Sequence, residues 1–116
     1  VTENFNILCE EGLLFTNFYA NGSRSDKGLV SILSGYYPQP HKSILKNPSK
    51  SRSLPVISKS LKLAGYHNSF FYGGDLNFGN MNTYVRGANF DERIDCQNFS
   101  SKNWNSKWGV HDHIVF

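Results

Sequence analysis

The sequence predicts an α/β fold in which a small β-sheet is flanked by helices. Three observations carry this. Segments with helical spacing alternate with short runs of β-forming residues. The chain has 116 residues, room for one hydrophobic core and little for a second. Hydrophobic residues make up 39% and aromatics 15%, enough to pack that core and more than a disordered tail carries. Residues 1–116 are therefore expected to form a single domain or part of one.

The elements follow in order. Residues 2–11 place Phe5, Leu8 and Cys9 at helical spacing, with Thr2 or Asn4 as a cap and Gly12 as the stop. "LLFTNFYA", residues 13–20, is short and rich in β-formers, as a largely buried strand is. Leu29, Ile32 and Leu33 then recur with helical spacing until Gly35, which sets Ser25 at a strand-to-helix junction. Residues 36–53 hold three prolines among polar residues and predict a long surface excursion. "LPVISKSLKLAGY" predicts an amphipathic helix with Val56, Ile57, Leu61 and Ala64 on one face, Pro55 in its first turn and Gly65 at its end. "HNSFFYGG", residues 67–74, reads as a strand closed by a glycine break, and residues 80–88 as another short helix. No internal repeat or low-complexity tract interrupts this order. The chain opens at a helix cap and closes on the apolar run "GVHDHIVF", as a piece of a larger domain would.

Composition excludes several classes. The formal charge of +3 comes from 12 Lys and Arg against 9 Asp and Glu, spread along the chain rather than gathered into a basic block, so nucleic acid is not an expected partner. No apolar run reaches the roughly eighteen residues that span a bilayer, and the first residues lack the order of a signal peptide, so the chain itself is expected to be soluble. Cys9 and Cys96 lie far apart, are not spaced like metal ligands and fit either redox compartment.

The chemistry concentrates in "ANGSRSDKGLVSILSGYYPQP", residues 20–40. A hydroxyl at a helix N-terminus faces unpaired backbone N–H groups and the positive end of the dipole, which favour an anionic group and a developing alkoxide. Ser25 occupies that place, with Arg24 and Lys27 beside it as donors for a phosphate or sulfate. The plain alternative is that Ser23 or Ser25 only caps the helix.

A resemblance spans nearly the whole chain. "TENFNILCEEGLLFTNFYA" is similar to the stretch of the sulfatase and alkaline-phosphatase superfamily in which a helix ending in "EEG" or "AEG" leads to "FTNFY" before the nucleophile. "RSDKGLVSILSGY" resembles the nucleophile segment of the phosphotransferase branch, where lipoteichoic acid synthases and lipid A phosphoethanolamine transferases carry a threonine. Lys27 and the Gly35-Tyr36 pair stand at the matching distances from Ser25, which favours Ser25 over Ser23. "SLKLAGYHNSFFYGGDLNFGNMNTYVRGANFDERID" and "KWGVHDHIVF" are similar to later segments of the synthases, in the same order. The resemblance implies a partial alkaline-phosphatase-like sandwich, the N-terminal part of a sulfatase-type catalytic domain, lacking strands at both ends.

Departures qualify what is carried over. From Ser25 the second and fourth places hold Lys27 and Leu29, and from Ser23 they hold Ser25 and Lys27, neither of which suits conversion to formylglycine. In the synthases a substrate-contacting tryptophan and arginine follow the glycine turn. Gly79 and Met81 stand in their places, Asn80 is retained, and Tyr72 replaces a histidine. The superfamily's metal ligands come from segments outside this sequence, Ser25 excepted. In "HDH", residues 111–113, Asp112 is expected to cap a helix and the histidines to be solvated, and neither His41 nor His67 has a visible partner.

The resemblance thus implies a hydroxyl nucleophile, Ser25, that takes a phosphoglycerol- or phosphoethanolamine-type head group from a lipid or glycan phosphodiester and passes it on. Lys27 is expected to assist, and Arg24, Tyr72 and Asn80 to contact substrate. A divalent cation, Mn²⁺, Mg²⁺ or Zn²⁺, would touch Ser25 in the complete enzyme and be absent from this piece. The parent is expected at the cell membrane with its catalytic domain outside the cytoplasm, and residues 1–116 alone are expected to be inactive and to self-associate. Two rivals stand beside this. One is a sulfuric-ester or phosphodiester hydrolase on the same fold. The other is a noncatalytic glycan or lipid head-group binding module that stacks ligands on Tyr36, Tyr37, Phe70, Phe71, Tyr72, Trp104 and Trp108.

Overall fold

The computed structural model describes residues 3–116, so Thr2 as a cap lies outside the described residues. Helix α1 spans Glu3–Glu11 with Asn4 inside it, and α2 spans Ser25–Ser34, ended by Gly35 in the left-handed region at φ 63°. Between them residues 13–20 form no strand, and every one of the eight is exposed. A strand exists only as one side of a hydrogen-bonded ladder. The apolar pattern signals a surface to be covered, and nothing among the described residues pairs with it.

Residues 36–53 depart from the expected open loop. A 3₁₀ turn at Ile44–Lys46 is followed by α3, Pro48–Arg52, with Asn47 accepting from the Lys50 N–H at its start. Leu45 and Ser51 are buried and pin the excursion to the core. The next helix, α4, spans Ile57–Leu63, and Val56 is its N-cap, so Pro55 precedes the helix instead of opening its first turn. Of the expected apolar face Val56 is buried in the core, whereas Ile57, Leu61 and Ala64 are exposed and the buried residue within the helix is Ser58. Ser58 Oγ donates to the Ala88 carbonyl at 2.6 Å, and Asn68 Nδ2 donates to the Ser58 carbonyl at 3.1 Å. Helix α4 is therefore held by Val56 at its start and by these polar bonds along it, which spacing of apolar residues does not reveal.

Strand β1, Ser69–Phe71, pairs in parallel with β2, Glu92–Ile94, in the register Ser69 to Glu92 and Phe71 to Ile94. The crossover between them carries α5, Met81–Gly87, as parallel strands require. No alternation in the sequence announces β2, whose charged Glu92 and Arg93 face solvent. Val30, Leu45, Val56, Leu76, Met81, Tyr84, Val85 and Ala88 form the main core, with Phe70 and Phe90 packed against it at a ring separation of 5.2 Å. Cys96, Val110 and Val115 form a second, smaller cluster; Cys9 and Cys96 are both free. The last helix, α6, spans Asp112–Val115 with His111 as its N-cap, so Asp112 is the first helical residue and not the cap.

Candidate active site

Ser25 is the first residue of α2. The N-cap is Arg24, extended at φ −144° and ψ 151° and without a side-chain capping bond, so neither Ser23 nor Ser25 caps this helix. Ser25 is exposed at the positive end of the helix, where the Lys27 and Gly28 N–H groups share the Arg24 carbonyl at 3.0 Å. Arg24 Nε lies 3.3 Å from Asp26 Oδ1, and that oxygen is buried without a hydrogen bond.

A pocket of about 550 Å³ opens beside this helix start. Arg24, Ser25 and Asp26 form one wall, and Tyr72 and Asp75, from the glycine turn after β1, form another. Phe78 and Met81 supply an apolar side, and Lys107 and Trp108 close the ring. Parallel sheets place their binding residues at such carboxyl ends of strands. Tyr72 is shifted above the ordinary phenol range by burial first and then by the charges of Cys96 and Asp75. Its hydroxyl, already protonated at neutral pH at the ordinary phenol value, stays a donor to higher pH than usual. Asp75 Oδ1 accepts from Asn77 N at 2.8 Å and Asn77 Nδ2 at 3.0 Å, which fixes the turn that carries it.

Lys107 and Trp108 reach the pocket through two glycines. Val110 N donates to the Gly73 carbonyl at 2.8 Å, and a Cβ at Gly73 or Gly109 would collide with the backbone carbonyl of Val110 or Gly73 respectively. Only glycine permits that approach. Ser106 then closes the turn, its Oγ donating to the Gly109 carbonyl at 3.1 Å and accepting from Trp108 N at 3.2 Å. Trp108 stays 73% exposed, with Lys107 Nζ 6.0 Å from its ring centre.

Of the residues singled out from sequence, Arg24, Ser25 and Tyr72 meet at this pocket. Lys27 does not line it. Its side chain is buried and Nζ donates to the Pro40 carbonyl at 2.7 Å, tying the segment after α2 back onto the helix. Asn80 also points elsewhere, donating through Nδ2 to the Leu45 carbonyl at 3.3 Å. Phe78, Lys107, Asp75 and Trp108 carry no role in the sequence pattern, Trp108 entering there only as one of many aromatics. No local signal in the sequence announces them, because the close approach of Gly73 and Gly109 that seats Lys107 and Trp108 joins segments far apart along the chain. Among the other aromatics, Phe70 is core, and Trp104 Nε1 donates to the Cys96 carbonyl at 3.0 Å.

The oxygen donors at the pocket are the Ser25 hydroxyl and the carboxylates of Asp26 and Asp75. Among the described residues no group of three or more His, Cys, Asp or Glu side chains could hold a metal ion. These residues alone do not make a divalent-cation shell, which takes several converging ligands. His111 and His113 stack edge to face at 5.9 Å, away from the pocket's lining residues.

The family model for sulfatases matches residues 1–116. A protein in the alkaline phosphatase superfamily from Vibrio parahaemolyticus superposes with a TM-score of 0.82 at 35% identity, over 95% of this chain and 27% of that one. The lipoteichoic acid synthase LtaP from Listeria monocytogenes superposes with a TM-score of 0.74 at 18% identity, over 86% of this chain and 24% of that one. The second likeness is one of fold. The chain spans about a quarter of the length of these two structures, and the small parallel sheet with its flanking helices is an alkaline-phosphatase-like arrangement.

Proposed function

The chain belongs to the sulfatase family, and from that premise we propose that it is the N-terminal part of a catalytic domain whose nucleophile is Ser25. The observation that carries this is the free, exposed hydroxyl at the start of α2, set in a pocket with Arg24, Tyr72 and Lys107. Two cations and a neutral phenol hydroxyl suit the non-bridging oxygens of a phosphoryl group. The Ser25 Oγ attacks phosphorus, an Oγ–P bond forms, the bond to the leaving alkoxide breaks, and the departing alcohol takes up the proton that serine gives up. An acceptor alcohol, or water, then reverses the step. Phe78, Met81 and Trp108 supply apolar surface for the organic part of a phosphoglycerol- or phosphoethanolamine-type head group.

In this proposal the complete enzyme uses a divalent cation, Mn²⁺, Mg²⁺ or Zn²⁺, to which residues 1–116 contribute Ser25 alone. Lipid or glycan phosphodiesters are the proposed substrates, handled outside the cytoplasm by a membrane-anchored parent. No helix among the described residues is long and apolar enough to cross a membrane. A sulfatase using formylglycine is disfavoured by Lys27 and Leu29 after Ser25. The test is a panel of phosphodiesters and sulfate esters on the complete enzyme. Turnover of phosphodiesters with a covalent phosphate on Ser25 is expected, and turnover confined to sulfate esters would overturn the proposal.

A further inference from the structure

Two segments meet across the Ser25 pocket. Arg24, Ser25 and Asp26 come from the start of α2, and Tyr72, Asp75 and Phe78 from the turn after β1. Gly73 and Gly74 open that turn, and glycine leaves a backbone freer than other residues do. The bonds from Asn77 to Asp75 lie inside the turn and travel with it, so its place against α2 is set by ties from outside. Tyr72 N donates to the Ile94 carbonyl at 2.9 Å, and Cys96 N to the Gly74 carbonyl at 3.1 Å. Val110 N and Asn82 N donate to the carbonyls of Gly73 and Leu76. These are main-chain bonds, open to almost any side chain. One tie is different, because a side chain makes it: Asp95 Oδ2 accepts from Leu76 N at 3.3 Å. Asp95 itself does not line the pocket. Its other oxygen, Oδ1, accepts from Gln97 N at 2.9 Å, and its own N–H donates to Asn98 Oδ1 at 2.9 Å, which closes the 3₁₀ turn Cys96–Asn98.

We propose that Asp95 is a positioning residue, which holds the wall carrying Tyr72 and Asp75 at the distance from α2 that a substrate requires. Asp75 sits between Gly74 and Leu76, and these two neighbours are held by the consecutive residues Cys96 and Asp95. Leu76 is only 3% exposed, so water does not replace a lost acceptor for its N–H, and the turn shifts to find one. A shift of about 1 Å in a binding group costs on the order of a hundredfold in rate even when the reacting groups are intact. The two carboxylate oxygens have separable roles: Oδ1 stabilises the 3₁₀ turn, and Oδ2 fixes the pocket wall. An asparagine keeps one acceptor for the cap, but its amide nitrogen cannot accept from Leu76 N. This inference rests on the reading of the pocket as the substrate site, and it holds whichever group is the nucleophile.

The test is steady-state kinetics of the complete enzyme on bis(para-nitrophenyl) phosphate, with Asp95→Asn beside Asn98→Ala. Asp95→Asn should lower kcat/KM on the order of tenfold through KM, with kcat close to wild type because the α2 wall is untouched. Asn98→Ala loosens the same 3₁₀ turn and leaves Oδ2 in place, so it should lower the thermal midpoint with KM unchanged. Asp95→Ser also caps but cannot serve both amides. It should repeat the rise in KM, and it stands in if the Asn variant fails to fold. Hydrogen exchange at the Leu76 amide should quicken in both Asp95 variants and not in Asn98→Ala. Wild-type KM in Asp95→Asn, or an equal rise in Asn98→Ala, would overturn the positioning role. Ser25→Ala keeps the two readings apart. Turnover that survives Ser25→Ala sinks the nucleophile, and a KM rise confined to the Asp95 variants then still supports the positioning role.

Discussion

At Gly109 a single missing methyl group decides what the pocket contains. A Cβ there would run into the Gly73 carbonyl, and φ is 122°, where side chains are strained. Gly28, inside α2, differs: a Cβ there meets nothing closer than the Asn21 carbonyl at 4.0 Å. Gly109→Ala should therefore lower the urea midpoint by an amount equivalent to roughly 2 kcal/mol or more. Gly28→Ala should leave it unchanged or raise it by up to about 1 kcal/mol. If both substitutions proved equally harmless, the close approach that seats Trp108 would be wrong. Ser25 was legible in the sequence because its helix start is a local pattern. Lys107 and Trp108 were not, because their place depends on a contact with Gly73 far away along the chain.

At the scale of elements, short-range spacing located the helices and misjudged what holds them. α2, α5 and β1 lie where the periodicity put them, since each is bounded by local stop signals such as Gly35. The strand expected at residues 13–20 fails because pairing is a property of two segments, and only one of them was in view. The face of α4 fails because Ser58 and Asn68, polar residues with buried partners, dock it in place of Ile57 and Leu61. The outer end of α4 is joined to the β2 side by Lys62 and Asp91, whose carboxylate also accepts from Asn68 N at 3.0 Å. The hydrogen bond from Lys62, then that from Asn68, lowers the Asp91 pKa below its ordinary value of 3.8. A lowered carboxyl pKa contributes stability above the unfolded value that is lost as pH falls through the folded one. Acid unfolding followed by circular dichroism should show this loss below about pH 4, and Asp91→Asn should remove that part of the pH dependence. An Asn variant with the same acid profile as the wild type would contradict this role for Asp91.

For the whole molecule, the balance of buried and exposed surface matters most. Leu13, Phe15, Phe18 and Tyr19, all exposed, form an apolar stretch shortly before Ser25. Residues 1–116 in isolation should therefore associate as concentration rises, which sedimentation velocity would register, and a single monomeric species at all concentrations would count against it. The same isolated residues, with Ser25 as their one contribution to a metal shell, should bind Mn²⁺ weakly, because a lone neutral hydroxyl competes poorly with water. Tight stoichiometric binding lost on Ser25→Ala would show that further ligands lie within this sequence. The central claim is that Ser25 carries the reacting group, and the complete enzyme tests it most directly by phosphodiester turnover in Ser25→Ala beside Ser23→Ala. Loss of Ser25 should lower kcat by about four orders of magnitude or more, with the thermal midpoint nearly unchanged because the hydroxyl caps no helix. Ser23→Ala should stay close to wild type. Full turnover in Ser25→Ala, or a loss confined to Ser23→Ala, would contradict the account.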